Sequence, residues 1–147
     1  MNIYSQLIFP NLIDLVMSGQ SFTDYRKVVL ADAVGEVLEI GFGTGLNLAY
    51  YPSNLVHKIT TVDVNSGMSK LARKRLDRSS IPVDFQVLNG ENLPMQNDTF
   101  DTVVSTWTLC SIKHVDQAIA EIYRVLKPGG KFLFIEHGLS NEPNIQT

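Results

Sequence analysis

Val37-Leu38-Glu39-Ile40-Gly41-Phe42-Gly43-Thr44-Gly45 is a short apolar run, broken by one acid, that passes into three glycines spaced by two. Such a run reads as a buried strand entering a tight turn, because glycine permits positive φ and lets a ligand approach bare backbone. Spacing narrows the ligand. A dinucleotide fingerprint, G-x-G-x-x-G, would need glycine at position 46, which is Leu46, and a P-loop would need a Gly-Lys-Ser/Thr ending that does not follow. The loop fits neither phosphate cradle. A glycine-rich loop alone is a weak signal, since such turns also end helices and close hairpins, so the rest of the chain has to decide.

The 147 residues are 44% hydrophobic and 18% charged, which suits one domain with a core of its own. A net charge of −3 gives no general attraction to nucleic acid or anionic membrane, so no nucleic-acid partner is expected. Cys110 is the single cysteine and has no metal-like spacing around it; a reducing compartment and a small buried role fit it. No run reaches the roughly 18 apolar residues of a membrane span, and the start lacks a signal-peptide pattern. The expected location is cytoplasmic, with no metal.

Upstream, residues 3–17 show helical spacing interrupted by Pro10, and Ser21 or Thr23 can cap a second helix with Tyr25, Val28, Val29, Ala33 and Val34 on one face and Gly35 at its end. Residues 1–35 thus form a helical prelude. The first strand is 36–40, and Leu46 begins a short helix that Tyr51-Pro52 stops. The second strand is 58–62, with Asp63 at its tip, 18 residues beyond Gly45. That interval is near the one at which a strand-tip acid accepts hydrogen bonds from ribose hydroxyls.

A helix over 66–78 follows; its Lys70, Arg73, Lys74, Arg75 and Arg78 read as a solvated face rather than a nucleic-acid surface. Strands at 83–88, 102–105 and 131–135 then alternate with a helix from about 115 to 126, which Lys127-Pro128-Gly129-Gly130 breaks. The expected fold is α/β: a doubly wound, mainly parallel sheet of about five strands with helices on both faces. It occupies residues 1–147 as a prelude (1–35), a core (36–137) and a tail (138–147).

Several motifs in this order carry a family resemblance. Glu39-x-Gly41-x-Gly43-x-Gly45, the loop Asn89-Gly90-Glu91-Asn92-Leu93-Pro94, Phe100-Asp101 opening a strand, and Leu126-Lys127-Pro128-Gly129-Gly130 between helix and strand resemble the class I S-adenosylmethionine-dependent methyltransferases. The resemblance is to the type 11 group that includes the ubiquinone and menaquinone biosynthesis enzymes, and it implies a Rossmann-like fold with S-adenosylmethionine as cofactor. It also implies cofactor-binding roles for Glu39, Gly41, Gly43, Gly45, Asp63, Val64, Asn89, Gly90, Glu91 and Thr106. Glu39 suits the methionine ammonium, Asp63 the ribose, and Val64 would pack on the adenine. Asn89 stands where the family usually has aspartate, and its side-chain oxygen can accept from the adenine amine. Thr106, Trp107 and Leu109 would face the methionine end.

The implied activity is methyl transfer to a small-molecule or lipid-like acceptor by in-line displacement, which needs alignment more than a nucleophilic triad. A base is required only if the acceptor loses a proton, and His137, at the tip of the last strand, is the best-placed residue. Only ten residues follow it, too few for the further helix and strands the family has. The expectation is therefore a shortened form, or a partner or second copy against the open edge of strand five. Two other readings remain: a non-catalytic cofactor-binding module, and a nicotinamide-dependent oxidoreductase, which Leu46 disfavours.

Overall fold

A computed structural model describes residues 9–66 and 70–138. The elements run α1 (Phe9–Met17), α2 (Gln20–Leu30), β1 (Gly35–Ile40), a short 3-10 helix (Leu46–Tyr50), β2 (Val56–Asp63), α3 (Lys70–Arg78), β3 (Val83–Val87), β4 (Phe100–Thr106), α4 (Val115–Val125) and β5 (Leu126–Ile135). The five strands form one sheet in the order β3-β2-β1-β4-β5, and every pairing is parallel.

Strand side chains alternate between faces, so the central strands feed two cores. Val37, Ile59 and Val104 pack with Leu30 of α2 and Ala72 of α3 on one face. Leu38, Ile40, Val62 and Val103 pack with Ile122 and Val125 of α4 on the other. Val37, Leu38, Val103 and Val104 have no exposed surface at all; burying each stabilises the fold by about 1.5–3 kcal/mol. Helices on both faces are thus a consequence of strands that are apolar on both sides. The chain reverses direction across the sheet between β1 and β4, and ligands of such folds bind outside the carboxyl ends of the strands at that crevice.

Several expected boundaries move. Pro10 lies within α1, which is described from Phe9; the part of the expected 3–17 segment that precedes it lies outside the described residues. Ser21 and Thr23 are inside α2 rather than capping it, and Gly19 precedes the helix without a side-chain cap. Gly35 opens β1 instead of ending α2. Its φ is 65°, and a β-carbon there would stand 2.2 Å from an Asp101 carboxylate oxygen, which itself accepts the Glu36 N–H at 2.8 Å. Tyr25 and Val28 are exposed, and the buried positions of α2 are Arg26 and Leu30.

His57 belongs to β2, which starts at Val56. The 131–135 strand begins earlier, at Leu126: Leu126 pairs with Phe100 and Lys131 with Thr102, so Lys127–Gly130 is looped out within β5. Helix α3 is described from Lys70; residues 67–69 of the expected 66–78 helix lie outside the described residues, as do 1–8 and the tail 139–147.

Candidate functional site

Two cavities adjoin at the carboxyl ends of β1, β2 and β4. The larger, of about 640 Å³, is lined by Pro10, Leu12, Ile13, Val16 and Met17 of α1, by Arg26, and by residues of the glycine loop and the β2 and β4 tips. The smaller, of about 400 Å³, lies over the loops that follow β2, β3 and β4. Gly41, Gly43, Asp63, Trp107 and Thr108 line both, so they are two ends of one cleft.

The glycine loop shows why the sequence has glycine there. Gly41 (φ 83°) passes so close to Thr108 that a β-carbon would meet its hydroxyl at 2.1 Å. Gly43 (φ 56°) faces open space, and a β-carbon would intrude into the cleft without touching protein. Its N–H donates to Asp63 Oδ2 at 2.9 Å, and Asp63 Oδ1 accepts the Asn65 N–H at 2.9 Å. The acid at the tip of β2 and the bare backbone of the loop therefore form a single lip.

Glu39 is buried behind this lip. Its Oε1 accepts from Asn47 Nδ2 (2.9 Å) and its Oε2 from the Tyr51 hydroxyl (2.8 Å). Burial pushes its carboxyl up to about 7, against the opposing pull of those two hydrogen bonds and of the Arg26 charge. Asn47 also donates to Thr106 Oγ1 at 3.1 Å and accepts from Arg26 Nε at 3.0 Å. One amide thus ties together β1, β4 and α2.

Of the residues expected from sequence, Glu39, Gly41, Gly43, Asp63, Thr106 and His137 line the larger cavity, and Val64, Asn89, Gly90 and Glu91 line the smaller. Val64 is 73% exposed, so one face of the smaller cavity is apolar and open. Asn89 Oδ1 accepts the Glu91 N–H at 2.9 Å, and Glu91 Oε1 accepts the His114 N–H at 3.0 Å. Gly90 lies under Ile40, where a β-carbon would press to 3.1 Å. Gly45 lines neither cavity; its φ of 78° starts the 3-10 helix beneath the Phe42 ring. Leu109 also lines neither, and Thr108 takes the place expected of it.

Four features escaped the sequence reading. Asp14 of α1 accepts from Thr44 Oγ1 at 2.6 Å and pairs with Arg75 of α3, which also donates to the Thr44 carbonyl at 2.9 Å. Burial alone would raise the Asp14 carboxyl, but the hydrogen bonds from Arg75 and Thr44 and the Arg75 charge bring it below its ordinary value. Trp107 takes φ 50°, rare for a bulky residue. Its ring meets Phe22 edge-on at 5.0 Å, the Arg26 guanidinium at 5.0 Å and the His137 ring at 6.4 Å. Glu136, at the end of β5, accepts the N–H groups of Thr108 (3.0 Å) and Leu109 (2.9 Å) through one oxygen and so fixes the loop that carries Trp107. Arg26 itself had a signal: Phe22, Arg26, Val29 and Leu30 share one helical face, with a cation in the middle of it.

A parallel sheet of this order, with a glycine-rich first loop and an acid ending the second strand, defines a nucleoside-binding α/β domain. The sequence profile described as "Methyltransferase domain" matches residues 38–134, and the chain belongs to that family. S-adenosylmethionine is accordingly the cofactor the family implies.

The chain is 34% identical over 106 residues to the ubiquinone/menaquinone biosynthesis C-methyltransferase UbiE of Bartonella henselae, covering 69% of this chain and 40% of that protein. It is 38% identical over 104 residues to the human thiol S-methyltransferase TMT1A, covering 69% of this chain and 42% of that protein. The chain thus spans about two fifths of the length of these relatives. Among solved structures, the Bacillus YcgJ protein superposes with a TM-score of 0.69 at 28% identity, over 84% of this chain and 53% of that one.

Proposed function

We propose that this chain holds S-adenosylmethionine along the cleft and that the protein transfers the methyl group to a small-molecule acceptor. The observation that carries this is the shared lip, in which Asp63 receives the Gly43 N–H while both residues line the two cavities. The residues present fit the group. Gly43 leaves a bare cradle that a β-carbon would fill, and Glu39 and Asp63 offer carboxylates to an ammonium and to ribose hydroxyls. Val64, Asn89, Gly90 and Glu91 suit the adenine end, and Gly41, Gly43 and Thr106 the methionine end, while Gly45 serves only to turn the loop into the 3-10 helix.

Bound there, the cofactor would supply a methyl group activated on a sulfonium, open to in-line displacement by an acceptor lone pair with the neutral thioether as leaving group. The chain's part is to align and to exclude water. Pro10, Leu12, Ile13 and Val16 give the larger cavity an apolar wall, which suits an acceptor with an apolar body. Relatives are named for carbon and for thiol methylation, so the acceptor atom is to be settled by assay. His137, which lines the larger cavity beside Trp107, would take the proton from an acceptor that must lose one.

A second reading rests on β5, which pairs only with β4 among the described residues. Under it the chain is a cofactor-binding module completed by more protein along that edge, either a partner or a second copy. Calorimetry with S-adenosylhomocysteine and with NAD tests the cofactor site. S-adenosylhomocysteine binds and NAD does not, and Asp63→Ala weakens binding by about 1.5–3 kcal/mol, as for losing a charged hydrogen-bond acceptor. NAD binding without a response to S-adenosylhomocysteine overturns the proposal. Transfer of labelled methyl to thiol and phenolic acceptors, by this chain and by a C-terminally extended one, separates enzyme from module.

A further inference from the structure

Helix α1 buries its acid and exposes its leucines. Asp14, its one charged residue, is 8% exposed, whereas Leu12, Leu15 and Val16 are 52%, 72% and 56% exposed and recur at the intervals of three and four that put them on one face. The pairing of Asp14 with Arg75 and Thr44 holds the helix this way round, because it draws the acid inward and turns the opposite side to solvent. Leu12, Ile13 and Val16 also line the larger cavity, so the apolar surface runs from the outside of α1 into the cleft. Leu15, the most exposed of them, lines neither cavity.

What covers such a face follows from its neighbour. Arg75 joins α1 to α3, and the exposed charges of α3 are Lys70, Arg73, Lys74 and Arg78 against the single acid Asp77. Lys70, Lys74 and Arg78 recur every fourth residue and form one row, and Arg78 is three residues from Arg75, so the row lies on the side of α3 that reaches α1. Leucines beside a row of cations complement a surface that is apolar within and anionic at its boundary. A second copy of the chain seated on the same face would instead set cation row against cation row. No helix among the described residues is long and apolar enough to cross a bilayer, so the contact is one of lying on the surface. We propose that the outer face of α1, with the cation row of α3, is a docking surface for an anionic lipid bilayer, and that Leu12, Leu15 and Val16 insert at its headgroup boundary. The net charge of −3 on the whole chain then orients the protein, because this face is attracted while the rest is not. The docking does not depend on which cofactor the cleft holds. One consequence does rest on the methyl-transfer reading above: an apolar acceptor dissolved in the bilayer reaches the larger cavity along Leu12, Ile13 and Val16.

The test is flotation of the 147-residue chain with vesicles of phosphatidylcholine alone and of phosphatidylcholine mixed equally with phosphatidylglycerol. The chain floats with the mixed vesicles at low salt, and partitions at least about tenfold less onto phosphatidylcholine alone or at high salt. Leu15→Ser lowers partitioning onto mixed vesicles by at least about tenfold, as for losing one buried leucine, and Lys70→Glu combined with Lys74→Glu lowers it by at least about as much. Lys58→Glu combined with Lys131→Glu, the same change of charge at exposed positions of β2 and β5, leaves it within about twofold. Unchanged flotation in Leu15→Ser would remove α1 from the contact, and unchanged flotation in the Lys70 and Lys74 variant would remove α3; either overturns the proposal. So would a chain that ignores vesicles but forms a dimer in sedimentation that Leu15→Ser abolishes, since the face would then join two copies. Should a variant fail to fold, the wild-type chain still decides, because equal flotation with both kinds of vesicle, or none with the mixed ones at low salt, ends the assignment. Failure to bind S-adenosylhomocysteine would remove the cofactor reading and leave the docking surface standing, since flotation needs no cofactor.

Discussion

Glu39 concentrates the conflict between fold and site. A carboxyl with 1% exposure in the middle strand of the sheet is held by Asn47 and Tyr51, and burial raises it from 4.5 to about 7. The native state therefore keeps its proton over a range in which the unfolded chain has released it. Between about pH 4.5 and 7 the native form binds more protons, so this residue's contribution to stability falls as pH rises through that window and levels off above it. Over about 2.5 units the loss is roughly 3 kcal/mol at 1.36 kcal/mol per unit. Glu39→Gln lacks the titration. Its unfolding free energy relative to wild type, measured by urea denaturation, rises by about that amount from pH 4.5 to 7.5. A difference that stays flat with pH would mean that Glu39 is ionised throughout.

Element by element, what the sequence reveals is the periodic part. The β-α alternation, the apolar strands and helix α4, whose Ala118, Ile122 and Val125 form one inward stripe, follow from local pattern. So does the collection of the glycine loop, Asp63 and the Asn89–Glu91 loop at strand ends. What it hides is tertiary. Arg75 reads as one more cation of a solvated helix, yet it reaches Asp14 and the Thr44 carbonyl, which fastens α1 over the larger cavity. Nothing local to Asp14, Thr44 or Arg75 announces that they meet across 61 residues. The early start of β5 is hidden for a related reason, because Leu126 is drawn into strand pairing with Phe100 before the chain loops out at Lys127–Gly130.

The fastening has a measurable consequence. The Asp14 carboxyl lies below its ordinary value, so its stabilising effect is present above about pH 4 and is lost as pH falls through the lowered native value. Asp14→Asn costs about 1–3 kcal/mol at pH 7, and the difference from wild type shrinks toward acid. Hydrogen exchange over residues 9–17 accelerates in this variant far more than exchange in β1. Uniform acceleration would show that α1 is held by its apolar contacts rather than by the acid.

At the scale of the whole molecule, the sheet sets a gradient of stability with the cleft at its soft end. β1 is hydrogen-bonded on both sides and buried from Val37 to Ile40, whereas β3 and β5 are edges and α1 exposes Leu12, Leu15 and Val16. Amides of residues 37–40 should exchange only through global unfolding, and those of α1 through local opening. The cleft draws its walls from both ends of this gradient, rigid β1 and β4 tips on one side and α1 on the other. A ligand that binds the native chain alone adds RT ln(1 + [L]/Kd) to every opening that destroys its site. At about 100 times its dissociation constant, S-adenosylhomocysteine therefore adds about 2.7 kcal/mol to global unfolding. The amides of residues 37–40 then exchange about 100-fold more slowly, and those of α1 slow as well because α1 lines the cavity. NAD at the same concentration changes neither. Slowing at β1 with no change at α1 would place the ligand in the smaller cavity alone, leaving the wall of Pro10, Leu12, Ile13 and Val16 to the acceptor.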